Sequence, residues 1–286
     1  MPGGTRLRGT HREAFTQLLE YFAEVADLQA TLRLLRWDEE TYLPPAASAD
    51  RAEMRATLRK LVHRAVTRPE VGRCLQVLEE VEASLPRDSF EASVIRVARR
   101  AHRQETRVPE SLLEELARAS SHAYRAWLEA KRENRFAIFA PHLARLVRLS
   151  AERADHLGWE EERYDALLDL YEPGLTTRRL DALLEPLRAE LRGLIDAIVR
   201  AQGDGPSHAA SRLRGDYPET KQAELCRRVL VQLGFDLNRG RLDESPHPFT
   251  MGITRDDVRL TTRYRRQSFV EALYATLHEA GHALYE

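Results

Sequence analysis

Apolar residues recur at three- and four-residue steps along most of this chain. Between about residues 11 and 40, Phe15, Leu18, Leu19, Phe22, Val25, Leu28, Leu32 and Leu35 fall on one helical face. Pro44-Pro45 ends that segment, because proline lacks the N–H that the helical ladder needs. A second periodic stretch covers about 48–66, and Pro69 is placed to open a third from its first turn. Pro86, Pro109 and Pro141 divide the next part of the chain into helices of about 15–25 residues. Their short connections predict antiparallel packing within a single helical domain spanning 1–286. Gly203-Asp204-Gly205-Pro206-Ser207-His208 reads as a surface turn of that domain, since helical periodicity resumes by Glu219.

One stretch breaks the helical pattern. From His247 to Tyr264, threonine and β-branched residues alternate with polar ones. That alternation predicts two strands, Phe249–Thr254 and Asp257–Tyr264, joined at Arg255-Asp256. A hairpin in an otherwise helical chain offers a strand edge with which an extended peptide can pair. Its plain alternative is to cover the core.

A last helix is predicted over about 269–286. Ser268 and Glu271 have the spacing of a capping box, and Val270, Leu273, Leu277 and Leu284 make an apolar stripe for the core. Beside that stripe stands His278-Glu279-Ala280-Gly281-His282. Histidines four apart lie on one helical face, so both imidazoles can reach one metal ion at about 2.0–2.1 Å. Glu279, turned about 100° from His278, points away from that ion but can take a proton from water held there. Gly281 costs about 1 kcal/mol relative to alanine, which predicts a close approach to the backbone at that point. A capped helix, a bordering apolar stripe and a preceding hairpin together favour a metal site over a chance match.

Charge and cysteine usage narrow the class. The net charge is −1 with 31% charged residues, so bulk electrostatics select neither nucleic acid nor a membrane surface as partner. No run of about 18 apolar residues is present, and Met1–His11 lacks the apolar centre of a secretory signal. Cys74 and Cys226 are far apart in helical segments, which predicts free thiols, a reducing compartment and, by default, the cytoplasm.

Taken together, the segments LRWDEETYLPP (Leu35–Pro45), RYDALLDLYEPGLT (Arg163–Thr176), LGFDLNRGRLDESPHPF (Leu233–Phe249), DVRLTTR (Asp257–Arg263) and HEAGHALYE resemble the carboxypeptidase Taq family. The resemblance implies a mainly α metallopeptidase fold with a small β-hairpin, about 247–264, next to the metal helix. It implies a zinc enzyme, with cobalt an alternative metal, that releases C-terminal residues from peptides with broad specificity, proline excepted. His278 and His282 match the metal ligands and Glu279 the catalytic glutamate. His247, within His-Pro-Phe, and Asp257 and Arg259, within Asp-x-Arg-x-Thr, match motifs expected to border the substrate groove. For Asp257 and Arg259 the structural alternative is an ion pair that pins the hairpin. Trp37 and Asp38 read as packing and capping residues. A homodimer is also implied.

A catalytic zinc has three protein ligands as a rule, and only two are evident here. Glu271 lies too far along the helix axis, and Glu286, Asp256 and Glu160–Glu162 have no spacing that selects them. The resemblance places the third ligand in a His-Glu-Ser motif downstream of the metal helix, so the chain is expected to be a fragment. Its apolar residues Leu273, Leu277 and Leu284 are then expected to be exposed and to favour aggregation. The rival readings are a non-enzymatic helical scaffold and another zinc oligopeptidase or aminopeptidase sharing the metal helix.

Overall fold

The computed structural model describes residues 7–202, 213 and 215–286. The turn expected at Gly203–His208 lies outside the described residues. Contacts divide the chain into two compact units, one formed by residues up to Leu35 with Pro44–Leu167, the other by Arg36–Leu43 with Leu168–Glu286.

Helices build the first unit, and the prolines place most of their ends. Helix α1 (Gly9–Thr41) stops before Pro44-Pro45, and α2 (Ser48–Thr67) comes next. Pro69 occupies the first turn of α3 (Pro69–Glu82), as its spacing predicts. Helix α4 (Phe90–Arg107) is capped by Ser89, whose hydroxyl accepts from the Ala92 N–H at 3.2 Å. Helix α5 (Glu110–Glu133) ends at Asn134 with φ 49°, a left-handed C-cap that asparagine tolerates. Helix α6 (Ala140–Leu157) ends at Gly158. Phe15, Leu18, Val71, Leu75, Leu78 and Ile95 form the main core of this unit, with Cys74 among them.

The short α7 (Asp165–Leu168) falls in the first unit except for Leu168, and the second unit holds α8 (Thr177–Gln202), α9 (Glu219–Gln232), a small sheet and α10 (Val270–Tyr285). Strands β2 (Thr250–Thr254) and β3 (Asp257–Thr262) form the antiparallel hairpin that the alternation predicts. A third strand, β1 (Gly240–Glu244), pairs parallel to β3, giving the order β1-β3-β2. Five residues following a helix carry too little alternation to announce a strand, and β1 gains its ladder from β3.

The pleat sorts the sheet into two faces. Val258, Leu260 and Thr262 face one way and Asp257, Arg259 and Thr261 the other. The first face carries the core of this unit: Leu242, Val258 and Leu260 pack with Cys226 and Leu230 of α9 and with Ala272, Ala280 and Ala283 of α10. Gly240 is required here, since a Cβ would collide with the Val258 carbonyl and the Phe235 ring.

Three expectations for α10 are overturned. Its buried face is Ala272, Thr276, Glu279, Ala280 and Ala283, while Leu277 and Leu284 are 38% and 51% exposed and Val270 and Leu273 only half-buried. Small side chains let the helix lie close on the sheet, and the Thr276 hydroxyl is satisfied by the Ala272 carbonyl at 2.8 Å. The capping box is not formed. Phe269 holds the N-cap position in a helical conformation without a side-chain cap, and Glu271 is engaged by Arg265 and Arg263. A Cβ at Gly281 would meet nothing within 4 Å, so the predicted close approach is not made among the described residues. Exposure of Leu277 and Leu284 does agree with expectation.

On the opposite face, Trp37 at the end of α1 is buried beneath two guanidinium groups, Arg259 at 4.1 Å and Arg241 at 5.1 Å from its ring centre. Asp243 is buried, accepting both a bidentate pair from Arg241 and a 2.6 Å hydrogen bond from the Tyr42 hydroxyl. That bond to a carboxylate holds the Tyr42 phenol above its ordinary pKa.

Both cysteines are free and buried, as expected, and burial pushes both thiols up. Cys74 and Cys226 should therefore react with a disulfide reagent slowly in the native protein and quickly in denaturant. Gly240→Ala should lower the urea midpoint of unfolding, by about 1–3 kcal/mol in stability, because the obstruction is backbone and cannot rotate away.

Candidate active site

The helix α10 presents its metal-site residues on two adjoining faces. His278 and His282 are exposed, with their Nε2 atoms 3.3 Å apart and their rings nearly perpendicular at 79°. Two nitrogens about 2.0–2.1 Å from a tetrahedral ion stand about 3.3 Å apart, so the separation of this pair suits two donors to one ion. Neutral imidazoles with both Nε2 lone pairs directed outward are the form that would bind it.

Glu279 occupies the adjoining face and is 7% exposed. Its backbone is held by the helix, and its carboxylate is met from the sheet. The Thr250 hydroxyl lies 2.8 Å from Glu279 Oε2 and 2.8 Å from the Glu279 carbonyl oxygen. Thr250 stands opposite Leu260 in the β2–β3 ladder, and the pleat therefore aims it at α10. No spacing in the sequence shows this contact; it needs the register of the hairpin and the burial of the alanine face.

The other candidate residues are dispersed. His247 is exposed, and its carbonyl accepts from Ser245 Oγ at 2.7 Å. Asp257 and Arg259 form a bidentate pair, 2.8 Å for each bond, on the sheet face turned away from α10. The third residue of their motif, Thr261, is fully buried and fastens the His-Pro-Phe segment. Its Oγ1 accepts from the Phe249 N–H at 2.9 Å and shares a 2.7 Å hydrogen bond with Ser245 Oγ. The structure thus brings His278, Glu279 and His282 together and does not bring Asp257 or Arg259 to them.

Among the described residues, no group of three or more histidine, cysteine, aspartate or glutamate side chains is gathered to hold a metal. Asp256 pairs with Arg239 at 2.6 Å, and Glu271 with Arg265 at 3.0 Å. The Glu286 carboxylate lies against Gly252 of β2, where a Cβ would stand 2.7 Å from its Oε2. No described helix is long and apolar enough to cross a membrane.

The sequence and the fold resemble those of known proteins. The profile of the carboxypeptidase Taq (M32) metallopeptidases matches residues 17–286. Thermostable carboxypeptidase 1 of Thermus thermophilus is 38% identical over 97% of this chain and 56% of its own length. Carboxypeptidase 1 of Bacillus subtilis is 35% identical over 97% of this chain and 54% of its own. The chain therefore spans about half the length of the curated relatives it matches. Among solved structures, that titled BsuCP superposes with a TM-score of 0.88 at 33% identity, covering 96% of this chain and 54% of the other. The Pyrococcus furiosus carboxypeptidase superposes at 0.81 with 33% identity, covering 98% and 55%. The chain belongs to the carboxypeptidase Taq (M32) family of metallopeptidases.

Proposed function

We propose that residues 1–286 carry the metal helix and general base of a zinc carboxypeptidase that removes C-terminal amino acids from peptides, with broad specificity short of proline. The observation that carries this reading is the pair of Nε2 atoms at 3.3 Å beside a buried, hydrogen-bonded Glu279. His278 and His282 would hold the ion. A bound zinc ion supplies a Lewis acid, polarising a carbonyl oxygen and acidifying water.

Glu279 supplies the proton traffic. It accepts a proton from the water that attacks the scissile carbonyl and returns it to the departing amine. Burial on the small face of α10 keeps its carboxylate out of bulk solvent. Among the described residues β2 is an edge strand of the three-stranded sheet, the position at which an extended peptide would add. For Asp257 and Arg259 the geometry favours the ion-pair alternative: they clamp the sheet over Trp37 rather than touch the peptide. The third metal ligand, in this proposal, is a glutamate from sequence outside 1–286; the half-length match to the relatives supports that. Free buried thiols favour a reducing compartment such as the cytoplasm, and a homodimer is carried over from the family resemblance.

Metal analysis and peptide assays on the full polypeptide that carries residues 1–286 test this. About one zinc per chain is expected, with release of free C-terminal residues from N-blocked peptides and none from C-terminally amidated ones. Glu279→Gln should keep the zinc and lose about 10²–10⁴-fold in kcat. His278→Ala should lose zinc and activity together. A zinc-free active protein, or cleavage that ignores C-terminal amidation, would count against the assignment.

A further inference from the structure

We infer that Thr250 is a positioning residue that sets the carboxylate of Glu279. This rests on the reading of Glu279 as general base and adds to it the device that aims that base. The Thr250 hydroxyl has one hydrogen and two acceptors in reach, Glu279 Oε2 and the Glu279 carbonyl, each at 2.8 Å. Donation to Oε2 fixes the rotation of the carboxylate and occupies one oxygen, leaving Oε1 as the free acceptor for a proton.

Thr250 is itself tightly placed. Its neighbour Phe249 is held by Thr261 through both backbone groups, the N–H to Oγ1 at 2.9 Å and the carbonyl to the Thr261 N–H at 2.8 Å. Thr250 then pairs with Leu260 in the ladder. Thr261 in turn is fully buried and shares a 2.7 Å hydrogen bond with Ser245 Oγ. A chain of short bonds therefore runs from the centre of the sheet to the base, and its last member is the Thr250 hydroxyl. A carboxylate attached by three rotatable bonds needs such a contact, since a displacement of about 1 Å at a reacting group can cost about 10²-fold in rate.

The test compares Thr250→Val, Thr250→Ser and Glu279→Gln, singly and as the Val/Gln double variant, in the zinc-loaded full polypeptide that carries residues 1–286. Thr250→Val keeps the shape and removes the donor. It should lower kcat about 10- to 100-fold with KM, zinc affinity and melting temperature nearly unchanged, and Thr250→Ser should restore most of the rate. In the Glu279→Gln background Thr250→Val should cost nothing further, because the two act as one unit. A crystal structure of Thr250→Val should show the Glu279 carboxylate rotated or in two conformers. Full kcat in Thr250→Val would overturn the inference, as would equal losses in the Val and Ser variants or a full additional loss in the double variant. Undiminished activity in Glu279→Gln would instead remove the general-base reading beneath it.

Discussion

The close seating of α10 on β3 is the constraint on which the rest of the candidate site depends. Ala272, Ala280 and Ala283 bring the helix backbone near the sheet, where Val258 and Leu260 fill the contact and the Thr262 hydroxyl reaches the Ala272 carbonyl at 3.1 Å. Larger side chains on that face would push the helix away from the sheet. Glu279 would then leave Thr250, and the base would lose the hydroxyl that holds it to the sheet. Seating the small face inward also turns His278 and His282 outward together, where their nitrogens can serve one ion.

The two faces of the sheet divide the labour. One faces α10 and carries Thr250 and Gly252, which admit the carboxylates of Glu279 and Glu286. The other faces Trp37 and carries Arg241, Asp243, Asp257 and Arg259 in paired, stacked arrangements. Arginine suits that layer because its planar guanidinium can stack on an aromatic ring and grip a carboxylate at once. Thr261 belongs to the second face by parity, yet it is the residue that secures the strand segment leading to Thr250. Rigidity behind the sheet is therefore transmitted to the site in front of it.

Much of this was legible in the sequence. Proline positions and three- and four-residue periodicity placed the helices, alternation placed the hairpin, and the His-Glu-x-x-His spacing placed two histidines side by side on the last helix. The errors share one cause: faces are decided by neighbours. The rule that large apolar residues go inside selected Leu277 and Leu284 for burial, whereas contact with a flat sheet selected alanine, threonine and glutamate instead. Strand parity, and not nearness to the metal helix in sequence, sets which sheet face Asp257 and Arg259 occupy. Strand β1 owes its existence to a parallel partner eighteen residues on, Gly240 to Val258, which no local pattern encodes. The contact of Thr250 with Glu279 required both the register of the hairpin and the seating of the helix.

In the proposed enzyme His278 and His282 hold one ion together. X-ray absorption at the zinc edge on the zinc-loaded full polypeptide that carries residues 1–286 addresses it most directly. The expected spectrum has two imidazole nitrogens at about 2.0–2.1 Å, with one of them lost in His282→Ala. A first shell of oxygens or sulfurs without imidazole, or a spectrum indifferent to His282→Ala, would contradict it.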